Sequence, residues 1–295
     1  VWCSSWRLAS AVSNAGGLGL IGAGSMHPEL LQEHIRKCKA ATSEPFGVNV
    51  PLLYPEIDKL MDIIVKEGAK IVFTSAGNPK TWTTFLKDKG IIVVHVVSSV
   101  KFALKSQEAG VDAVACEGFE AGGHNGREEI TTFCLIPAVA RALNIPVIAA
   151  GGIADGHGIF GALALGAEGV QVGTRFAISD ESSAHLNFKK RIVECAEGET
   201  TLTLKQLAPV RLIKNEFYNS ISAAEKQGAD ADTLRSILGK RRSKLGIFEG
   251  DLKEGELEIG QVSAYINDIR PAAEILKYMW AEYEQLKKDF YERDN

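Results

Sequence analysis

Seven short apolar runs recur along the chain, and their spacing limits the possible folds more than any other feature of the sequence. They cover residues 19–21, 46–50, 71–74, 91–97, 113–116, 147–150 and 169–172. The runs are β-branched or small and are apolar on both faces, as in parallel strands that are buried on both sides. Segments with helical spacing of apolar residues lie between them, so the pattern predicts alternating strands and helices.

Successive runs begin roughly 20 to 35 residues apart, which is the spacing of repeated βα units. Such repeats form either an open doubly wound sheet or a closed barrel. The first helical segment, residues 6–15, has no strand before it, and one strand upstream of Val1 would complete a set of eight. We therefore predict an α/β fold, a (β/α)8 TIM barrel whose first strand precedes Val1, with the open sheet as the alternative.

The barrel pattern fades after residue 176, and three regions are predicted. Residues 1–196 form the barrel, with a last barrel helix at 182–196. Residues 197–260, called the cap below, form a smaller and mostly helical region next to the substrate. Residues 261–295 contain a long helix with an aromatic stripe, which we expect to pack on the barrel or on a second subunit of a homodimer.

Composition excludes several classes of protein. The formal net charge is −4, which gives no reason to expect a nucleic acid partner. No apolar run approaches the ~18 residues of a membrane span, and the first five residues lack the features of a signal peptide. The five cysteines are scattered and show no zinc-binding spacing. We therefore expect a cytoplasmic protein with reduced, mostly buried thiols and no metal site.

The longest gap between runs contains the segment from Glu117 to Gly126, called the glycine loop below. Gly122 and Gly123 come directly before His124. Glycine allows backbone N–H groups to approach a ligand closely, and histidine can exchange a proton near neutral pH. Because barrels bind ligands at the carboxyl ends of their strands, we predict that His124 is catalytic. The alternative is that His124 only hydrogen-bonds the loop.

Glycines also follow the last two runs of the predicted barrel. Gly151 and Gly152 follow one run, and Gly173 and Thr174 follow the next. With the expected upstream strand counted, these are the ends of strands 7 and 8, where barrels often bind phosphate. The pair of strand ends therefore predicts a phosphate-bearing ligand, and tight turns from strand to helix are the alternative.

Four segments in chain order resemble the motifs of the nitronate monooxygenase superfamily: PFGVNV at 45–50, EGFEAGGH at 117–124, AAGGIADG at 149–156 and GAEGVQVGTRF at 166–176. Members of this superfamily are FMN-dependent barrels, and a turn in their first strand is absent here, which fits the expected upstream strand. The resemblance implies bound FMN. It also implies that the flavin or its phosphate contacts Asn49, Glu117, Gly122, Gly123, Gly151, Gly152, Gln171, Gly173 and Thr174.

Within the superfamily, two details resemble the FabK-type enoyl-acyl-carrier-protein reductases. Monooxygenases tend to have glutamine where this chain has Glu117, and segments 74–79 and 260–261 look like those of the reductases. A basic run at 240–244 would suit an acidic carrier protein, although such a run is also typical of a solvated face. The resemblance thus implies reduction of trans-2-enoyl thioesters with NAD(P)H in fatty acid synthesis, with His124 as the proton donor.

Two other functions stay open at this point. In a nitronate monooxygenase, His124 would remove a proton from the carbon next to the nitro group, and reduced flavin would react with O2 without a need for NAD(P)H. A barrel could also bind FMN or a sugar phosphate without turnover, as a sensor or scaffold. Acyl chain length and the choice between NADH and NADPH are not determined by the sequence.

Overall fold

The computed structural model describes residues 2–292, which contain ten strands. The strands are β1 (Gly19–Gly22), β2 (Phe46–Pro51), β3 (Ile71–Ser75), β4 (Ile92–Val97), β5 (Ala113–Glu117), β6 (Gly123–His124), β7 (Val147–Ala150), β8 (Gly169–Gln171), β9 (Thr200–Thr203) and β10 (Val210–Ile213). Each of the seven predicted runs is a strand, with bounds that differ from the prediction by no more than one residue at either end.

Seven of these strands form one curled parallel sheet in the order β1-β2-β3-β4-β5-β7-β8. Every neighbouring pair is parallel, so each connection crosses back through a helix. Sequential order and parallel pairing confirm the predicted barrel-type α/β fold. The strand expected upstream of Val1 lies outside the described residues.

Residues near the start of the chain connect the two edges of the curled sheet. The Gly22 N–H, at the end of β1, donates to the Ser4 carbonyl at 2.9 Å. The Ser183 N–H, in the segment after β8, donates to the Cys3 carbonyl at 3.0 Å. The first residues therefore join β1 to the segment that follows β8 at the carboxyl end of the sheet.

Twelve α-helices occur in the described residues. They are α1 (Trp6–Asn14), α2 (Pro28–Ala41), α3 (Ile57–Lys66), α4 (Thr83–Lys87), α5 (Val100–Glu108), α6 (Thr132–Ala142), α7 (Gly156–Ala164), α8 (Thr174–Ala177), α9 (Leu186–Val193), α10 (Glu216–Lys226), α11 (Ala231–Leu238) and α12 (Ala272–Glu292). Local sequence explains many starts: the side chains of His27, Ser99 and Asp155 each accept an N–H from the first turn of the helix that follows.

The long helix α12 takes the place predicted for another segment. It packs along α7 and against α1, which is the position of the eighth helix in a (β/α)8 ring. The segment predicted as the last barrel helix, 182–196, contains the shorter α9, which instead contacts short helices at 244–248 and 261–265. The reason is that α12 carries the apolar face that fits the barrel, with Ala272, Ile275 and Met279 buried.

The cap contains a sheet that the sequence analysis missed. Strands β6, β10 and β9 form a three-stranded antiparallel sheet, called the small sheet below, with β10 in the centre. One face of β10 packs with α10 and α11 in a separate apolar core. The helices of the cap therefore cover a sheet that includes part of the glycine loop.

The main core lies between the parallel sheet and the helices, and the barrel interior has a smaller one. His95 on β4 alternates with Val94 and Val96 of the interior core, so it points outward, where it is 4% exposed. Its Nδ1 lies 2.7 Å from Thr74 Oγ1. Burial lowers the pKa of His95 to about 4, so this histidine is neutral near pH 7. Across residues 2–292, no helix has both the length and the apolar character of a membrane span.

Candidate active site

Three polar side chains point into the barrel near the carboxyl ends of their strands. On β2, Val48 and Val50 belong to the main core between the sheet and the helices, called the outer core below, so Asn49 between them faces the barrel interior. The same alternation turns Glu117 inward at the end of β5, since Cys116 belongs to the outer core. Gln171 lies between Val170 and Val172, which pack against that core. The structure therefore brings three of the predicted site residues to one mouth of the barrel.

Burial changes the chemistry of two of these side chains. Gln171 Oε1 is buried and has no hydrogen-bond partner among the described residues. An unsatisfied buried acceptor costs about 1–3 kcal/mol, and a ligand N–H would offset that cost. Burial raises the pKa of the Glu117 carboxyl to about 7, so near neutral pH it can either donate or accept a hydrogen bond. Both groups are suited to a ligand with polar ring atoms.

The glycines at the strand ends bring three loops into contact. A Cβ at Gly151 would lie 2.7 Å from the Gly118 carbonyl, so the segments after β5 and β7 touch. A Cβ at Gly122 would lie 2.5 Å from Gly260 N, and the Gly260 N–H donates to Thr174 Oγ1 at 3.1 Å. Only glycine permits these approaches. The predicted loops after β5, β7 and β8 thus meet around one end of the barrel.

Glu120 and Thr132 hold this junction together, and neither was predicted from the sequence. The Glu120 carboxylate accepts the Thr132 N–H at 3.0 Å and the Thr132 hydroxyl group lies 3.1 Å from the same carboxylate. Thr132 Oγ1 is also within 2.9 Å of the Gly151 carbonyl. The glycine loop, the start of α6 and the turn after β7 therefore form one hydrogen-bonded unit. A carboxylate three residues after Glu117 was the signal available in the sequence.

Open space lies beside Gly173. A Cβ built on this residue meets no atom within 4 Å, and its φ of −99° is accessible to any residue. Protein packing therefore gives no reason for glycine here. Gly152, by contrast, has a φ of +73°, which favours glycine for conformational reasons. The open space at Gly173 and the unpaired Gln171 Oε1 lie on the same strand end, as expected for a bound molecule.

His124 lies on a strand, not on a free loop as the sequence suggested. In β6 it stands opposite Val210, and Gly123 stands opposite Arg211. The Asn125 N–H donates to the Pro209 carbonyl at 2.8 Å, which marks a hydrogen-bonded pair of the ladder. Because bonded and non-bonded pairs alternate, the His124 N–H points away from β10. The His124 side chain is exposed, and it projects from the same face of the small sheet as Val210, which stands opposite it.

Other predicted features have structural explanations. Cys38, Cys116 and Cys195 are buried as expected, but Cys134 is exposed on α6.

Ligand atoms of Asp155, His157 and Glu282 lie within 4.8 Å of one another. Asp155 and Glu282 there accept backbone N–H groups at the start of α7, whose positive end disfavours a cation.

Part of the basic run at 240–244 is paired within the chain. Arg242 Nη1 donates to the Glu254 carboxylate at 2.9 Å, and its guanidinium lies over the Phe217 ring. Lys244 Nζ lies 2.8 Å from Glu249 Oε1. Two of the four cations therefore contribute to cap structure, and the side chains of Lys240 and Arg241 are exposed.

Comparison with known proteins matches the sequence of this chain to one family. The family model described as nitronate monooxygenase matches residues 1–60 and 54–282. A Bacillus subtilis protein named "probable nitronate monooxygenase" is 36% identical over 67% of this chain and 69% of its own. A Mycobacterium tuberculosis octahydro-indene-carboxyl-CoA dehydrogenase is 28% identical over 94% of this chain and 88% of its own.

A solved structure covers almost the whole chain. FabK from Thermotoga maritima superposes with a TM-score of 0.94 and 39% sequence identity, over 99% of this chain and 93% of that chain. The likeness includes the cap as well as the barrel, because the superposed part is nearly complete.

Proposed function

This chain belongs to the nitronate monooxygenase family of oxidoreductases, and we propose that within this family it reduces trans-2-enoyl thioesters with NAD(P)H, using bound FMN. The observation that carries this proposal is the likeness to FabK, which extends over 99% of the chain. The dehydrogenase relative from Mycobacterium tuberculosis is named for a carboxyl-CoA, which is also a thioester. The acyl group of the substrate would be carried by an acyl carrier protein.

The barrel mouth fits FMN in its chemistry. Gln171 Oε1 is a buried acceptor without a partner in the described part of the chain, so it could accept a hydrogen bond from an N–H on the polar edge of a flavin. Gly173 leaves space that a Cβ would fill. Thr174 Oγ1 accepts the Gly260 N–H and can still donate its own proton, for example to a phosphate oxygen. When bound, FMN would supply hydride transfer between NAD(P)H and the thioester.

The remaining chemistry falls to residues of the chain. Hydride addition to the β-carbon leaves negative charge on the α-carbon and the thioester oxygen, and the α-carbon must gain a proton. His124, exposed at the edge of the small sheet, would donate that proton. General acid catalysis of this kind is worth about 10²–10⁴-fold in rate. The His124 N–H, which points away from β10, is a donor for the thioester oxygen.

Nitronate oxidation is the second candidate, and the name of the matching family model favours it. In that reaction His124 would accept a proton from the carbon next to the nitro group, so the same side chain serves both reactions. Glu117 favours the reductase, because its carboxyl, with a pKa raised to about 7, replaces the glutamine typical of monooxygenases.

Two rates measured on one preparation test the proposal. We expect FMN-loaded protein to oxidise NADH or NADPH faster with a crotonyl thioester than without it. Oxygen consumption with a propyl nitronate should be slower. Faster nitronate turnover in the absence of NAD(P)H would contradict the reductase. A His124→Ala variant should lose about 10²-fold or more of kcat, and full activity of that variant would remove the proton-transfer role.

A further inference from the structure

Arg211 is a buried arginine to which the proposed mechanism gives no role. It lies on β10, the central strand of the small sheet, and is 2% exposed. Its neighbours Val210 and Leu212 belong to the cap core on one face of that sheet. Alternation along a strand therefore places Arg211 on the opposite face, between the cap and the barrel.

Arg211 contacts the glycine loop at two points. Its Nε donates to the Phe119 carbonyl at 2.9 Å, and its guanidinium carbon lies 5.0 Å from the centre of the Phe119 ring. Its backbone stands opposite Gly123, directly before His124. One residue thus holds the loop near its beginning by the side chain and near His124 by the main chain.

The charge of Arg211 is poorly compensated. Among residues 2–292 no carboxylate lies within ion-pair distance of it, and its Nη1 donates a long hydrogen bond, 3.4 Å, to Thr200 Oγ1. Burial lowers the pKa of Arg211, while Glu120 and Glu129 oppose that shift. Arginine stays charged even so, and a charged donor binds a carbonyl more strongly than a neutral one. Burying a cation at this position is unfavourable unless the bond to Phe119 is formed.

We infer that Arg211 is a positioning residue that fixes the glycine loop against the cap and so sets the place of His124. The inference rests on the proposed function only in taking His124 as the proton-transfer group, and it holds for either candidate reaction. Since Phe119 and His124 lie on either side of the Gly122–Gly123 turn, loss of the Arg211 side chain removes one of the contacts that hold the Phe119 end of that turn, and the bonds of Glu120 remain. A displacement of about 1 Å at a reacting group can lower kcat on the order of 10²-fold.

Three variants test the inference. Arg211→Met removes the charge and the planar guanidinium with its N–H donors, with little change in side-chain volume. Arg211→Lys keeps the charge but lacks the planar guanidinium. Arg127→Met is the matched control. Arg127 also joins the glycine loop segment to the cap, through the Lys205 and Leu207 carbonyls at 3.0 and 2.7 Å, but it is exposed and contacts neither Phe119 nor Gly123.

Amide hydrogen exchange of the full chain with FMN added is the first readout, since it needs no substrate. We expect faster exchange over 117–126 in Arg211→Met, an intermediate effect in Arg211→Lys, and a wild-type pattern over 117–124 in Arg127→Met. Wild-type exchange over 117–126 in both Arg211 variants would overturn the inference. If Arg211→Met does not fold, as judged by circular dichroism, Arg211→Lys alone decides.

Kinetics with the crotonyl thioester and with the propyl nitronate are the second readout. On whichever substrate the wild type turns over, kcat should fall tenfold or more in Arg211→Met while KM for NAD(P)H changes less than threefold. Equal losses in Arg211→Met and Arg127→Met would show a general structural role and overturn the inference. Failure of the wild type on the thioester refutes the proposed function alone, because the exchange result does not depend on it.

Discussion

Substitution of Gly173 by alanine separates cofactor binding from folding. The added Cβ meets no protein atom within 4 Å, and a φ of −99° suits alanine. The apo protein should therefore keep its stability to within about 0.5 kcal/mol, or gain up to about 1 kcal/mol because the unfolded chain loses freedom. In the FMN complex the same methyl group would occupy ligand space. Overpacking of this kind costs about 1–3 kcal/mol of binding free energy, which raises the Kd for FMN about 5-fold to 150-fold.

Thermal unfolding of the apo protein and titration by flavin fluorescence measure the two quantities separately. Gly169→Ala is the matched control: a Cβ there also meets no atom within 4 Å, but Gly169 is at the opposite end of β8. It should leave FMN affinity unchanged. An unaltered Kd in Gly173→Ala would refute the placement of the cofactor at this strand end, and a large loss of apo stability would refute the open space.

Three further predictions concern single residues. His95 has a pKa of about 4 in the folded state and about 6.5 in the unfolded chain, so below pH 7 the unfolded state binds a proton that the folded state does not. The free energy of unfolding of the wild type should therefore fall by about 2 kcal/mol between pH 7 and pH 5. Urea unfolding of His95→Gln should show a smaller fall. The pKa of Glu117 is raised to about 7, so between pH 4.5 and pH 7 the folded state keeps a proton that the unfolded state loses. The free energy of unfolding of Glu117→Gln should therefore rise relative to that of the wild type as the pH rises from 4.5 to 7. A difference between the two proteins that stays constant with pH would contradict this. Thr132→Val removes the hydroxyl contacts to Glu120 and Gly151, and denaturant titration should show a free energy of unfolding lower by about 1–2 kcal/mol. Thr131→Val is the control. The Thr131 side chain makes no capping hydrogen bond to the helix that follows, so this substitution should change the free energy of unfolding little.

The strands of the parallel sheet could be predicted from the sequence because each of them is a short, continuous apolar run. Buried parallel strands are apolar on both faces, so runs such as 46–50 and 147–150 are visible without knowledge of their neighbours. The convergence of the loops that contain Gly122, Gly151 and Thr174 was also predictable, since parallel strands end at the same edge of the sheet. Their roles toward FMN stay predictions.

The features that the sequence did not predict depend on contacts between distant residues. Strand β6 has only two residues, which is too short for a periodic signal, and its partner β10 lies more than 80 residues later. The alternation in 210–213 could have indicated a strand, but not that its arginine binds the Phe119 carbonyl. The assignment of α12 to the barrel likewise required its contacts with α7 and α1, because two amphipathic segments competed for the eighth position.

In the proposed reaction, reduction of an enoyl thioester ends with a proton delivered to its α-carbon. The most direct measurement is NMR of the product formed from a crotonyl thioester and NAD(P)H in D2O with the FMN-loaded protein. We expect a saturated butyryl thioester that carries solvent deuterium at the α-carbon, formed at least about tenfold more slowly by His124→Ala. Recovery of unreduced crotonyl thioester, with the same preparation consuming oxygen on a propyl nitronate, would contradict it.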